Sequence, residues 1–341
     1  MRRTVILAPL LAAACLLPLC ACGETSQNTP NPQQQNASEQ VEVLDRAGEK
    51  DDESEAEAEA EPTQEPDVEN APEAEADPEP EPEPADANFD ATAPVVTSTS
   101  ESGISVTAPD AFLATSAFAQ VEDKISALVA SGYHVGVVMR DLTTGNQITY
   151  NTDERLYPAS SIKAPYCAMV CETNGGSGAM SQTMENCLVN SSNGDYEALI
   201  NAYGMPAFGA WIAEHGAPDA SADGSIWWYP EISAGELAAL WEEIYRYGTS
   251  GEAGGAELAG YLARTESSPI GDTLRETCEV WSKPGWFPDN GELVATNDAG
   301  VVFSESGTYV MVIMTSMSSN LDGLVPLVEA LDNAHSVMCG A

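Results

Sequence analysis

Helical spacing of apolar residues alternates along this chain with strand-like runs, and the changes from one to the other set out its elements. Phe118, Val121, Ile125, Leu128 and Val129 recur at helical spacing, and Gly132 beyond them can take the left-handed conformation that closes a helix. Residues 134–141 and 147–151 are instead rich in strand formers and flank Leu142-Thr143-Thr144-Gly145-Asn146, a hairpin composition. A helix is predicted to open at Ser160 and run towards Glu172, where Asn174-Gly175-Gly176 stops it. From Met180 to about Leu274 helix formers dominate, and Ser233-Ala234-Gly235-Glu236 is a capping box that starts a helix carrying Leu237, Leu240, Trp241 and Ile244. Residues 279–286, 293–304 and 308–316 read as strands, with turns at Pro288-Asp289-Asn290-Gly291 and Glu305-Ser306-Gly307, and 321–337 as a last helix. This order predicts an α+β fold. An antiparallel sheet is flanked by the two terminal helices, and an all-helical subdomain is inserted between its halves.

The N-terminal region does not fit that domain. Met1-Arg2-Arg3, the apolar run 5–19 and Leu19-Cys20-Ala21-Cys22 have the charged start, short apolar centre and small-residue end of an export signal, too short to span a bilayer comfortably. The closing tetrad resembles the bacterial lipobox, which implies residues 1–22 as a lipoprotein-type signal peptide, lipidation of Cys22 and attachment to the cell membrane. An ordinary secretory signal with incidental cysteines is the alternative; either places the mature protein outside the cytoplasm. Residues 23–108 read as an acidic, Pro/Glu-rich disordered linker, because between Glu39 and Asp90 the chain carries 22 Asp or Glu against only Arg46 and Lys50. Such a segment repels itself and lacks the apolar area to offset chain entropy.

Residues 109–341 are enough for one sizeable domain. The whole chain has a formal charge of −42, and past Asp90 it still has 31 acidic residues against eight basic ones, which excludes a nucleic-acid binder. Five cysteines, Cys167, Cys171, Cys187, Cys278 and Cys339, leave at least one thiol over and match no zinc spacing. Cys167 and Cys171 lie one helical turn apart, so either can reach Cys187 while they suit each other poorly. His134, His215 and His335 are scattered, and neither a metal nor another cofactor is expected.

Chemistry enters with the lysines. Only Lys124, Lys163 and Lys283 occur past Asp90, and two of them fall in motifs. Ser160 and Lys163 form the only S-x-x-K, a spacing that sets an amine one turn from a hydroxyl and can turn a poor nucleophile into a usable one. Ser191-Ser192-Asn193 and Lys283-Pro284-Gly285 follow in that order. Taken singly these are a helix cap, a second N-cap, a turn asparagine and a surface charge. Taken together they resemble the penicillin-recognising serine enzymes, and residues 109–341 are similar to class A β-lactamases and their D,D-peptidase relatives.

The resemblance implies roles. Ser160 attacks a carbonyl, Lys163 serves as base, and Ser191 passes a proton to the leaving nitrogen. Asn193 holds the substrate amide, and Lys283 supplies positive potential. The backbone N–H groups of Ser160 and Trp286, the residue after Gly285, form an oxyanion hole. The implied substrate is a β-lactam or a cell-wall peptide-like amide, handled by a monomer.

Three departures bear on activity. No E-x-x-L-N context follows the second motif, and Glu231 is the only glutamate between 216 and 232; its plainer reading is favourable charge ahead of the helix opened by Ser233. Pro284 stands where a hydroxyl residue is usual. Ser160 and Ser191 are only 31 positions apart, which can open the cleft to bulkier substrates. Trp227, Trp228, Tyr229, Trp286 and Phe287 are expected near the cleft, as packing or as a stacking floor. A D,D-peptidase and a catalytically weak surface binding protein remain alternatives to a β-lactam hydrolase.

Overall fold

The computed structural model describes residues 89–340. The expected signal peptide, Cys22 and residues 23–88 of the expected linker lie outside the described residues. The chain opens with β1 (Val95–Thr99) and β2 (Ser105–Pro109), a hairpin that joins the main sheet through β2. This corrects the boundary expected at residue 108. Ile104, Val106 and Ala108 are buried and alternate with Ser105 and Thr107, so one face of β2 belongs to the core. The dense acidic run ends at Asp90, and that break in charge marks the edge of the domain.

Next comes α1 (Ser116–Ala130), capped by Thr115, whose hydroxyl accepts from the Phe118 N–H at 3.1 Å. The hairpin of β3 (Val135–Asp141) and β4 (Gln147–Tyr150) is as expected. Short β5 (Arg155–Leu156) leads to a 3₁₀ turn, Ala159–Ile162, and then to α2 (Lys163–Asn174). The helical insert holds α3 (Ser181–Leu188), α4 (Asn193–Tyr203), α5 (Met205–Glu214) and the single turn α6 (Ser221–Gly224). After β6 (Ile232–Ser233), which pairs with β5, come α7 (Ala234–Gly248), α8 (Ala253–Leu262) and α9 (Pro269–Leu274). The chain returns to the sheet as β7 (Glu279–Phe287), β8 (Ala295–Ser304) and β9 (Gly307–Thr315), and ends in α10 (Val325–Cys339).

The main sheet is antiparallel, in the order β1-β2-β4-β3-β9-β8-β7. Its two faces feed two cores, because successive side chains along a strand point to opposite sides. Val137, Met139, Met311 and Ile313 pack with Phe118 and Val121 of α1 and Leu327 and Leu331 of α10. Val138, Val310, Val312 and Met314 pack with Met169 and Val170 of α2 and Leu240 and Trp241 of α7. The capping box at Ser233 and Glu236 forms as expected and starts α7.

Every residue of α2 from Lys163 to Cys171 is buried, so this helix runs through the middle of the second core. A central helix has no polar face to present to water, and its few polar groups need internal partners. Cys167 on α2 and Cys187 on α3 bring their sulfurs to 3.9 Å, while Cys171 lies 3.3 Å from the Met184 sulfur. Of the two expected partners for Cys187, it is Cys167 that meets it.

Candidate active site

The nucleophile candidate sits on a turn held from two sides. Pro158 leads into it, and Ala159 takes a left-handed φ of 46°, a conformation an alanine adopts only where its surroundings enforce it. Buried Asn297 on β8 supplies that enforcement. Its Nδ2 donates to the carbonyls of Tyr157 and Pro158, both at 3.0 Å, and its Oδ1 accepts from the Thr315 N–H at 2.9 Å. On the other side β7 presses its backbone against the turn at Gly285. A Cβ there would lie 2.4 Å from the Ser161 nitrogen, 2.5 Å from the Pro158 oxygen and 2.8 Å from the Ser160 nitrogen. Only glycine fits.

Lys163 starts α2 and is fully buried. Its ammonium donates to the Ser191 carbonyl at 2.5 Å and to Asn193 Oδ1 at 2.7 Å, and lies 5.6 Å from the centre of the Tyr196 ring. Both acceptors come from the turn between α3 and α4, where Ser191 has a left-handed φ of 60°. Capping of α4 falls to Ser192, whose hydroxyl accepts from the Asp195 N–H at 3.3 Å. Ser191 is therefore free to point its hydroxyl elsewhere. It accepts from the Lys283 ammonium at 2.8 Å.

Lys283 is also fully buried, on β7, and donates to the Pro284 carbonyl at 3.1 Å. Burial, reinforced by the nearby Lys163 charge, pushes its pKa down to about 7. Pro284 is tolerated because β7 is the end strand of the sheet. Directly across from it on β8 is Asp298, a buried carboxyl raised to about 6 by desolvation although three donors hold it. Those donors are the Ser268 hydroxyl (2.7 Å), the Ile270 N–H (2.9 Å) and the Ala299 N–H (2.9 Å), so Asp298 ties the start of α9 to the sheet.

These residues border a cleft of about 310 Å³ lined by Ser160, Asn190, Ser191, Asn193 and Ser319 with Tyr157, Ala159, Tyr229, Trp286 and Phe287. Of the eight predicted site residues, Cys22 lies outside the described residues and five are brought together here: Ser160 and Lys163 from one turn, Ser191 and Asn193 from another, and Lys283 from β7. Gly285 lets β7 approach, and Trp286 is on the rim, 37% exposed. Of the expected aromatics, Tyr229, Trp286 and Phe287 line the cleft; Trp227 and Trp228 do not, and Trp228 packs against the helical core instead.

No carboxylate is among the lining residues. Glu231 is exposed, and its carbonyl accepts from Arg155 at 2.7 and 3.1 Å. The acidic residue in the first turn of α7 is Glu236. In place of a carboxylate the Tyr229 hydroxyl reaches the cleft and donates to Asn193 Oδ1 at 3.2 Å, with desolvation holding its pKa well above the ordinary phenol value. Asn297, Asp298 and the Tyr229 contact were not predicted. The available signal was the polar run Thr296-Asn297-Asp298 ahead of the apolar stretch 299–303 of one strand, since buried polar groups are there for a reason.

The family profile described as the β-lactamase enzyme family matches residues 120–178 and 173–331. This chain therefore belongs to the β-lactamase enzyme family, and its fold is that of a β-lactamase-like hydrolase. Similar solved structures include a β-lactamase from Sphaerobacter thermophilus, 18% identical, covering 65% of this chain and 97% of its own, with a TM-score of 0.54. A β-lactamase from Chitinophaga pinensis is 16% identical over 62% of this chain and 97% of its own, at 0.52. A representative of class A β-lactamase from Bacteroides cellulosilyticus is 14% identical over 66% and 99%, at 0.53. At such identities the likeness is one of fold. No curated protein matches the chain.

Proposed function

We propose that the protein is an extracytoplasmic serine hydrolase that forms an acyl-enzyme through Ser160 on a β-lactam or a related cell-wall peptide amide. The observation that carries this reading is the unbroken set of contacts from Lys163 to Asn193 and Ser191 and on to Lys283, beside Ser160 in one cleft. In the proposed reaction Lys163 first gives up one ammonium proton to solvent, keeping two N–H groups for Ser191 and Asn193; Ser160 Oγ then bonds to the substrate carbonyl carbon and its proton goes to the freed lone pair of Lys163. The N–H groups of Ser160 and Trp286 hold the carbonyl oxygen as it gains charge. The Ser191 hydroxyl, which accepts from Lys283, hands its proton to the departing nitrogen as the amide bond breaks and takes one back from the Lys283 ammonium. Asn193 aligns the substrate amide, and Lys283 attracts its carboxylate.

Release of the acyl group is the slow step in this reading. The cleft lining offers no carboxylate to activate water, and the tyrosine that reaches Asn193 is a poor base at neutral pH. That favours a long-lived adduct, as a penicillin-binding D,D-peptidase would form, over fast β-lactam turnover. Intact-mass measurement after exposure to a labelled penicillin and to an activated-serine probe tests both halves. One adduct on Ser160, lost in Ser160→Ala and persisting for many minutes, is expected. No adduct with either probe would leave a surface binding protein as the better description, and rapid regeneration of free enzyme would overturn the slow release.

The location is part of the same proposal. Lipidation of Cys22 would tether a monomeric domain outside the cell membrane through the acidic segment. Cys22→Ser is expected to move the protein from the membrane fraction to the medium; retention on membranes would sink the anchor.

A further inference from the structure

At the end of the sheet remote from the cleft, three groups that can ligate a metal converge. His335 and Cys339 lie four residues apart on α10, hence on one face of the helix, and Asp141 ends β3. His335 Nε2 is 3.0 Å from Asp141 Oδ2 and 3.6 Å from Cys339 Sγ, and the three ligand atoms all lie within 4.8 Å of one another. Tetrahedral zinc, with bonds of about 2.1 Å to nitrogen and oxygen and about 2.3 Å to sulfur, sets its ligand atoms roughly 3.5 Å apart. The spacing suits an ion at the centre of the three.

The surroundings point the same way. The second ring nitrogen of His335 is engaged by the Ser306 hydroxyl at 2.9 Å, which orients the imidazole and leaves Nε2 facing the cluster. Asp141 Oδ1 is occupied by the N–H groups of Thr143 and Thr144 and by the Thr144 hydroxyl, so Oδ2 is the oxygen left over. A single Nε2–H can serve Asp141 or Cys339, not both. Beside them is Asn146, whose side chain contacts Cys339 and whose Oδ1 is buried with no hydrogen-bond partner. Turning that amide over would offer an oxygen as fourth ligand to the same centre. His335 and Asp141 are buried while Cys339 is half-exposed, which gives an ion a way in.

We propose that Asp141, His335 and Cys339 form a structural site for a divalent transition ion of the zinc type, completed by Asn146 or water. The thiol proton leaves to solvent, the His335 proton sits on Nδ1, where it donates to Ser306, so that Nε2 offers its lone pair to the ion, and the thiolate and carboxylate together balance the two charges. It pins the C-terminal helix to the β3–β4 hairpin. The site stands about six residues along the strands from Thr315 and Thr296, roughly 20 Å, so Ser160 chemistry does not depend on it.

The test uses the full chain, reduced, stripped with a chelator and titrated with Co²⁺. One equivalent should produce a thiolate-to-cobalt charge-transfer band and the visible bands of a tetrahedral ion, and Zn²⁺ should displace it. Cys339→Ser should lose the thiolate band, while Cys278→Ser, at a half-exposed cysteine outside the cluster, should keep it. On the unmodified chain, alkylation of Cys339 should slow at least tenfold when Zn²⁺ is bound, and Ser160 acylation should be unchanged. Absence of the band in the unmodified chain, its survival in Cys339→Ser, or equal alkylation with and without Zn²⁺ would overturn the site.

Discussion

Replacing Gly285 with alanine tests whether the approach of β7 to the nucleophile turn sets the reaction geometry. The added Cβ would stand 2.4 Å from the Ser161 nitrogen and 2.5 Å from the Pro158 oxygen, where ordinary contact begins at 3.4 Å. The deficit is about 1 Å, and the atoms in the way are backbone, so no side chain can swing aside. Either β7 or the turn must move by about that distance. The turn is pinned by Asn297, and β7 is paired with β8 along its whole length, so strain is shared between them. Overpacking of this kind costs about 1–3 kcal/mol of stability. A displacement of about 1 Å between a nucleophile and the groups that orient its target costs on the order of a hundredfold in rate. Gly285→Ala is therefore expected to remain folded, to melt several degrees lower, and to acylate roughly a hundred times more slowly than the unmodified chain. The assay is the rate of penicillin adduct formation by mass spectrometry, with circular dichroism on the same samples. An acylation rate within threefold of the parent, at unchanged melting temperature, would refute the claim that this contact governs the geometry.

Other outcomes follow from the same contacts. Lys283 has a folded pKa of about 7 against 10.5 in a free chain, so the unfolded state binds the extra proton between those values and stability should rise with pH there. The stability of the parent relative to Lys283→Met, measured by urea unfolding, should increase by up to about 1.4 kcal/mol per pH unit between pH 7 and 9; a flat difference would contradict it. KM for an anionic substrate should climb as pH rises through 7, because the cation is lost. Asn297→Ala takes a donor from the Tyr157 carbonyl and the acceptor from the Thr315 N–H, while the Pro158 carbonyl keeps the Ser161 hydroxyl at 2.7 Å, for a loss of about 2 kcal/mol in unfolding free energy and a marked drop in Ser160 acylation. Glu231→Gln should leave both acylation and release of the adduct within twofold of the parent, since Glu231 is exposed and outside the cleft; a large slowing of release would restore it as the activating base.

What could be read from the chain divides by range. Helices carrying Phe118, Val121 and Ile125, or Leu237, Leu240 and Trp241, announce themselves because periodicity and caps are local. The motifs at Ser160, Ser191 and Lys283 were legible as a set because their order is a strong constraint, and the fold brings all three together. The hairpin of β1 and β2 was missed because five-residue strands of Ser, Thr and Val next to an acidic run look like linker. Burial of β2 is decided by β4, some forty residues later, and β1 is held through β2. Asn297 and Asp298 act on Pro158 and Ser268, and no short-range pattern links those positions. Asp141 and His335 are separated by 194 residues, and the antiparallel pairing of β3 with β9, against which α10 packs, is what brings them within reach.

The sheet order also fixes where the molecule can be held. β1 is one outer strand and β7 the other, and the Ser160 cleft is built against β7. Six strand spacings of about 4.8 Å separate the two edges, close to 30 Å before twist. A bulky group attached ahead of residue 89 would emerge at the far edge. Immobilisation on a bead, or fusion to a second protein at that end, should therefore leave the cleft open, whereas the same attachment near Phe287 or Ser319 would close it.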